Sequence, residues 1–250
     1  FWPRDRMSKS MKPSQRRWLV TGASRGLGHA IATLAHERGD KVCFVARSPD
    51  IAELAAALGP DALGVQADVS SADDLAGAVA TMVERWGGVD VLVNNAGLHR
   101  GGKISAFTDD DWDKSLATNL SGPMYAVRAA LPHMEPGGAI INVGAVVGFR
   151  GFPGDSCYGA SKAGLSGLTQ VLASELAVQQ IRVNLVVPGF VMTEMTSGVS
   201  EHAKQKIISK IPMRRMGEAE EIADVVWWVA GSSYMTGSVI VTDGGLMCNL

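Results

Sequence analysis

Short apolar runs alternate with longer stretches of helical pattern from Arg17 to the end of the chain, and this alternation restricts the fold more than any other feature. RWLVTG (17–22), KVCFVA (41–46), ALGVQA (62–67), VDVLVNN (89–95), AIINVGA (139–145), RVNLVVPG (182–189) and SVIVTD (238–243) read as strands. They are rich in Val, Leu and Ile on both faces, as strands are when helices cover both sides of a sheet. Between them, residues near 26–38, 50–58, 71–86, 109–134, 158–179, 201–209 and 218–230 read as helices. Strand–helix repetition requires parallel strands joined by crossovers. The expectation is α/β: a single doubly wound domain over residues 17–250, with a seven-stranded parallel sheet flanked by helices.

Composition removes several function classes. Apolar residues make up 46% of the chain and charged residues 19%, with a net charge of −2, so no global field attracts nucleic acid or an anionic membrane. The longest apolar runs, such as Val225–Ala230, are too short to span a bilayer. Cys43, Cys157 and Cys248 have no paired spacing, which suits a reducing cytoplasm. The 5 histidines are scattered, so no metal site is expected. The first seventeen residues carry six basic side chains against one acidic and lack an apolar segment. Residues 1–16 therefore read as a disordered basic leader rather than a secretory signal. Met7 and Met11 are both possible starts, and the sequence does not say where the preceding residues come from.

TGASRGLG (21–28) follows the first strand directly and opens the first helix. Gly22, Gly26 and Gly28 permit a tight turn in which backbone N–H groups and the helix N-terminus can approach a pyrophosphate; a plain glycine turn is the competing reading. An acidic residue after the second strand would select NAD. Here the stretch is Val45, Ala46, Arg47, Ser48, with no carboxylate until Asp50. Arg25 and Arg47 can clamp a 2′-phosphate, which favours NADPH, although both can equally be solvated loop arginines. Asp68 can accept from the adenine amine. Asn95, Ala96 and Gly97 end the fourth strand with small residues that allow close backbone approach.

Tyr158 and Lys162 stand four apart near the start of a helix and so share a face. An ammonium beside a phenol favours the phenolate, and this predicts a Tyr158 pKa moved down from about 10 toward neutrality. By itself the spacing is common. Gly, Pro, Met and Thr concentrate from Pro188 to Met216, at the carboxyl edge where such sheets bind ligands, and residues 190–216 read as a substrate lid.

TGASRGLG, NNAG (94–97), Asn119 in ATNL, YGASK (158–162), PGFVMT (188–193) and VTDGG (241–245) occur in the order and spacing of the short-chain dehydrogenase/reductase family, which the chain resembles over residues 17–247. The subgroups it resembles are 3-oxoacyl-carrier-protein reductases and aromatic polyketide tailoring ketoreductases of the angucycline kind. The resemblance implies a Rossmann-like fold and a cytoplasmic homotetramer that reduces a small-molecule ketone with NADPH. Tyr158 would be the acid, Lys162 its partner, and Asn119 would hold a relay water. Thr193 and the Val191 backbone would meet the nicotinamide amide. Ser24, Leu27, Val69, Pro188 and Gly189 fall in the same cofactor motifs. Ala145, Val146, Met192 and Met195 would face the substrate.

Two positions depart from the family pattern. A serine is expected thirteen residues before the tyrosine, but Ala145 stands there, and a methyl group cannot donate a hydrogen bond. Loss of such a donor typically lowers the rate about 10²–10³-fold. An engineered change, a decayed site, a substrate carrying its own hydroxyl, or a role for Ser156 would each account for it. Pro136 and Gln179 stand where the resemblance places basic residues for an acidic carrier protein, although Arg128, Arg182 or Arg214 can serve instead. Together the departures favour a free, hydroxyl-bearing polycyclic ketone of secondary metabolism, for which Met192, Met195, Met213 and Met216 offer an adaptable apolar wall. Fatty-acid 3-oxoacyl reduction is the alternative activity. A non-catalytic NADP-binding regulatory or scaffold protein is the alternative from another class.

Overall fold

The computed structural model describes residues 15–193 and 200–248. The basic leader up to residue 14, Met195 and part of the expected lid lie outside the described residues. Among those described, seven strands form one parallel sheet: β1 (Arg17–Thr21), β2 (Lys41–Ala46), β3 (Ala62–Gln66), β4 (Val89–Asn94), β5 (Met134–Val143), β6 (Arg182–Pro188) and β7 (Val239–Thr242). Their order is β3-β2-β1-β4-β5-β6-β7. The chain thus winds outward from β1 in one direction and from β4 in the other, giving the doubly wound, Rossmann-like domain expected. Between β1 and β4 the connections part, which opens a crevice at the carboxyl edge.

The α-helices among the described residues are α1 (Gly26–Glu37), α2 (Ile51–Ala56), α3 (Ala72–Trp86), α4 (Asp109–Leu116), α5 (Gly122–Ala130), α6 (Ser156–Leu176), α7 (Glu201–Ile208) and α8 (Ala219–Gly231). Alternation along each strand divides the core into two layers. Trp18 and Val20 of β1 pack with Ile31 and Ala35 of α1 and with Val226 of α8, while Leu19 packs with Leu75 of α3 and Ala126 of α5 on the opposite face.

Two predicted elements need correction, and both corrections concern the site. Residues 109–134 are not one helix. An α-helical turn would require the N–H of residue 123 to reach the Asn119 carbonyl, but Pro123 has no N–H. The chain instead takes a wider π-turn over Ala117–Ser121 between α4 and α5, with Asn119 fully buried inside it. The strand expected to begin at Ala139 begins at Met134. Its register against β4 shifts between Val89↔Met134 and Val91↔Ala139, and Gly137 takes a φ of +100° in the irregular stretch.

Candidate active site

The glycine loop forms one wall of the crevice. After β1, Gly22 (φ +67°) and Gly26 (φ +55°) adopt left-handed conformations that favour glycine, and α1 begins with no side chain capping its N-terminus. A methyl group on Gly28 would stand 2.2 Å from the Gly22 carbonyl oxygen and 2.3 Å from Asn95 Nδ2. One on Gly22 would meet the Ala96 backbone at 2.8 Å. The loop after β4 is bound to this turn by neutral groups. Thr21 Oγ1 accepts from the backbone N–H of Asn95 and of Ala96, each at 3.1 Å, and Asn95 Nδ2 donates to the Thr21 carbonyl at 3.0 Å. The result is a surface of exposed peptide edges at a helix N-terminus, which is the chemistry that holds a phosphate. Ser24 and Leu27 are half-buried in the same turn, and Thr193 lies 3.5 Å from where a Gly26 side chain would start.

Farther along the edge, Arg25 and Arg47 are both exposed. Arg47 does not stand apart from Asp68, since its Nη1 lies 3.7 Å from Asp68 Oδ2, while Asp68 Oδ1 accepts from Ser70 N and Oγ. With the Arg47 side chain 73% exposed, this pair is worth under about 1 kcal/mol, so it does not prevent the guanidinium from meeting a phosphate. Val69 is buried behind it. At the other end of the crevice, Pro188 closes β6, and Gly189 lies so near β7 that a methyl group there would reach the Asp243 backbone at 2.7 Å. Val191 forms an isolated parallel bridge with Gly217, which anchors the start of the expected lid.

The opposite wall is α6 and its neighbours. Lys162 is 3% exposed, and its Nζ donates to the Val143 carbonyl at 2.8 Å. It sits 5.8 Å from the centre of the Tyr158 ring, and a methyl group on Gly97 would stand 3.6 Å from Nζ. The fold therefore brings the tyrosine and the lysine together, as their spacing implied, and adds the loop after β4 beside the lysine. Asn119 Oδ1 accepts from Leu98 N at 2.7 Å, and its Nδ2 donates to the Leu98 carbonyl and to Ser161 Oγ, each at 2.9 Å. Ser161 Oγ donates back to the Tyr158 carbonyl at 2.8 Å. The side chain of Asn119 is thus taken up in fixing the loop to α6, so any water it holds must use its backbone carbonyl.

The expected acidification of the phenol is not observed. Burial, followed by the charge of Asp155, pushes Tyr158 up to about 12. Burial alone brings Lys162 down to about 8. The ammonium is turned to the Val143 carbonyl, and both groups lie in a medium that penalises charge, so desolvation outweighs attraction. Tyr158 is a phenol held protonated, the state in which it can give up a proton.

Ala145 follows β5 and presents only its methyl group, next to buried Val146. Ser156 is exposed on the first turn of α6. Met192 and Met213 are largely exposed and Met216 is buried, so the apolar wall is only partly formed by the described residues. Sequence reasoning missed His99. Its Nε2 lies 2.9 Å from Asp155 Oδ1, and its ring meets the Tyr158 ring edge-on at 5.0 Å between centres. The two partners are 56 residues apart, and no local pattern links them. It missed Thr21 and Ser161 as well, although a lone hydroxyl closing an apolar strand and one adjoining the lysine were visible signals.

Comparison with known proteins places this geometry. The family model described as enoyl-(acyl carrier protein) reductase matches residues 22–247. The 3-oxoacyl-(acyl-carrier-protein) reductase FabG of Staphylococcus aureus is 40% identical over 237 residues, covering 91% of this chain and 96% of its own. Carbonyl reductase family member 4 of Xenopus tropicalis is 39% identical over 233 residues, covering 92% and 98%. A solved structure from Brucella melitensis, described as a short-chain dehydrogenase/reductase of the glucose/ribitol dehydrogenase type, superposes with a TM-score of 0.89 at 33% identity, covering 92% of this chain and 96% of that one. A blue fluorescent protein from a metagenomic library, in complex with NADPH, superposes with a TM-score of 0.88 at 34% identity, covering 92% and 97%.

Proposed function

The chain belongs to the short-chain dehydrogenase/reductase family of oxidoreductases, and from that premise we propose that it reduces a ketone with NADPH, using Tyr158 as the proton donor. The observation that carries this reading is Tyr158, its ring centre 5.8 Å from buried Lys162 Nζ, together with a glycine turn in which Gly22 and Gly28 leave no space for a side chain. When bound, NADPH supplies the hydride. Gly22, Gly26 and Gly28 leave room for its pyrophosphate, Arg25 and Arg47 meet its 2′-phosphate, and Asp68 with Val69 borders the adenine. Asn95, Ala96 and Gly97 line the path to Lys162, while Pro188, Gly189, Val191 and Thr193 border the nicotinamide end. Tyr158 gives its proton to the carbonyl oxygen as negative charge develops there. Lys162 keeps a positive charge beneath the phenol, and Asn119 holds the loop against α6.

The proposed substrate is a polycyclic aromatic ketone of polyketide type, seated against Ala145, Val146 and Met192. The second reading is reduction of a 3-oxoacyl thioester on a carrier protein, which the FabG relatives favour. NADPH oxidation measured with a fused-ring ketone and with an acetoacetyl thioester decides between them. The proposal expects the ring ketone to have the higher kcat/KM; preference for the thioester assigns the second reading, and NADPH binding without turnover of either assigns a non-catalytic binder. We further propose a cytoplasmic homotetramer that covers exposed Trp228 of α8 and Val239 and Val241 of β7. No helix among the described residues is long and apolar enough to cross a membrane.

A further inference from the structure

Stabilising a carbonyl oxygen during reduction takes a second hydrogen-bond donor besides the phenol, and the groups around Tyr158 differ in what they can offer. Ala145 offers none. Asn119 directs its side-chain donor to Ser161 Oγ and the Leu98 carbonyl, and Ser161 directs its own to the Tyr158 carbonyl. Lys162 donates to the Val143 carbonyl. His99 is different. One ring nitrogen is anchored on Asp155, and the other, Nδ1, has no hydrogen-bond partner among the described residues. The ring lies edge-on to the Tyr158 ring, 5.0 Å between centres, and its side chain is 36% exposed. The loop is fixed in place, because Gly102 N donates to the Gly154 carbonyl at 2.9 Å, beside the His99–Asp155 contact.

We propose that His99, oriented by Asp155, is the second donor to the reacting oxygen, supplying from the loop after β4 what a methyl group at 145 cannot. This assignment rests on the ketone-reductase reading. In the reaction, hydride from NADPH forms the new C–H bond, and the carbonyl π pair moves to oxygen. That oxygen takes the phenol proton, and NADP⁺ leaves. Solvent restores the phenol proton. The imidazolium keeps both of its protons and acts only as a donor through Nδ1.

Donation requires the protonated ring. The hydrogen bond to Asp155 raises the His99 pKa, burial opposes this, and the carboxylate charge raises it further. Among the neighbouring titratable groups, Tyr158 is held neutral, Lys162 lies beneath it, and Arg100 is turned to Asp111, leaving Asp155 as the charge that acts on His99. Activity due to His99 is therefore present at low pH and lost as pH rises through its raised pKa.

The test uses the full chain with NADPH and trans-1-decalone, a fused-ring ketone with no hydroxyl of its own. The expected cost of His99→Gln is about 10²-fold in kcat/KM below the histidine pKa, with the falling limb abolished and the NADPH Kd and Tm retained. Asp155→Asn moves that limb to lower pH, and an NMR titration of the His99 ring moves with it. In an Ala145→Ser background, where a hydroxyl is restored, the cost of His99→Gln falls below about tenfold. An equal cost in both backgrounds, or a limb that stays fixed while the ring titration shifts, overturns the assignment and leaves His99 a structural contact. A parent enzyme that oxidises no NADPH with either decalone or an acetoacetyl thioester overturns the reductase reading instead, and this assignment with it.

Discussion

On the wall of the crevice formed by β1, α1 and the loop after β4, peptide groups, a threonine hydroxyl and an asparagine amide bind the loop to the turn after β1. The wall formed by β5 and α6 buries a lysine ammonium 5.8 Å from the centre of a half-buried phenol ring. On the proposed reading the first wall would fit its ligand by shape, the glycines being there for what they omit. The second holds chemistry the fold would be more stable without, because burial penalises the charge on Lys162 and the ionisation of Tyr158 alike. Substitutions should therefore separate binding from turnover according to the wall they touch.

The largest expected effect is on the charged wall. Tyr158→Phe should lower kcat by about 10³-fold while leaving NADPH affinity unchanged, because only the proton donor is removed; steady-state kinetics beside a fluorescence titration check both halves. The neutral wall should fail in the opposite sense. A methyl group in Gly28→Ala meets backbone at 2.2 Å, so the turn must shift, with a loss of about 1–3 kcal/mol in stability and a clear weakening of NADPH binding. If the Gly28→Ala protein binds NADPH normally, the cradle does not work by close approach.

Lys162→Met should make the protein inactive but more stable, by about 2 kcal/mol at neutral pH, because a buried charge is replaced by an apolar chain of similar size. The folded pKa of about 8 lies below the ordinary 10.5, so the parent carries the full penalty below pH 8 and recovers it as pH rises between the two values. Melting curves should therefore show the gain largest near neutrality and shrinking through that window. A gain independent of pH would mean that burial of the ammonium is not its source. The smallest effect belongs to Arg47, whose guanidinium is exposed. Arg47→Ala should reduce the preference for NADPH over NADH by about tenfold without changing Tm.

The sheet was legible because its strands are short, apolar on both faces and punctuated by glycine, and the turn after β1 because only glycine serves where Gly22 and Gly26 turn left-handed. The break in the long helix was also available, since Pro123 removes the N–H that the Asn119 carbonyl needs, but helical periodicity on both sides concealed it. Other features were out of reach in principle. The direction of the Tyr158 shift depends on how deeply the ring sits and on Asp155 nearby, and the spacing of Tyr158 and Lys162 contains neither. The His99–Asp155 contact joins loops after different strands, so only the folded chain reveals it.

The most direct test of the account is isotope transfer from NADPH deuterated at its transferable position to a fused-ring ketone. The account predicts an alcohol carrying one deuterium on the former carbonyl carbon, formed by the parent enzyme and nearly absent with Tyr158→Phe. NADPH that binds to the glycine turn while the alcohol forms without deuterium, or does not form at all, would contradict it.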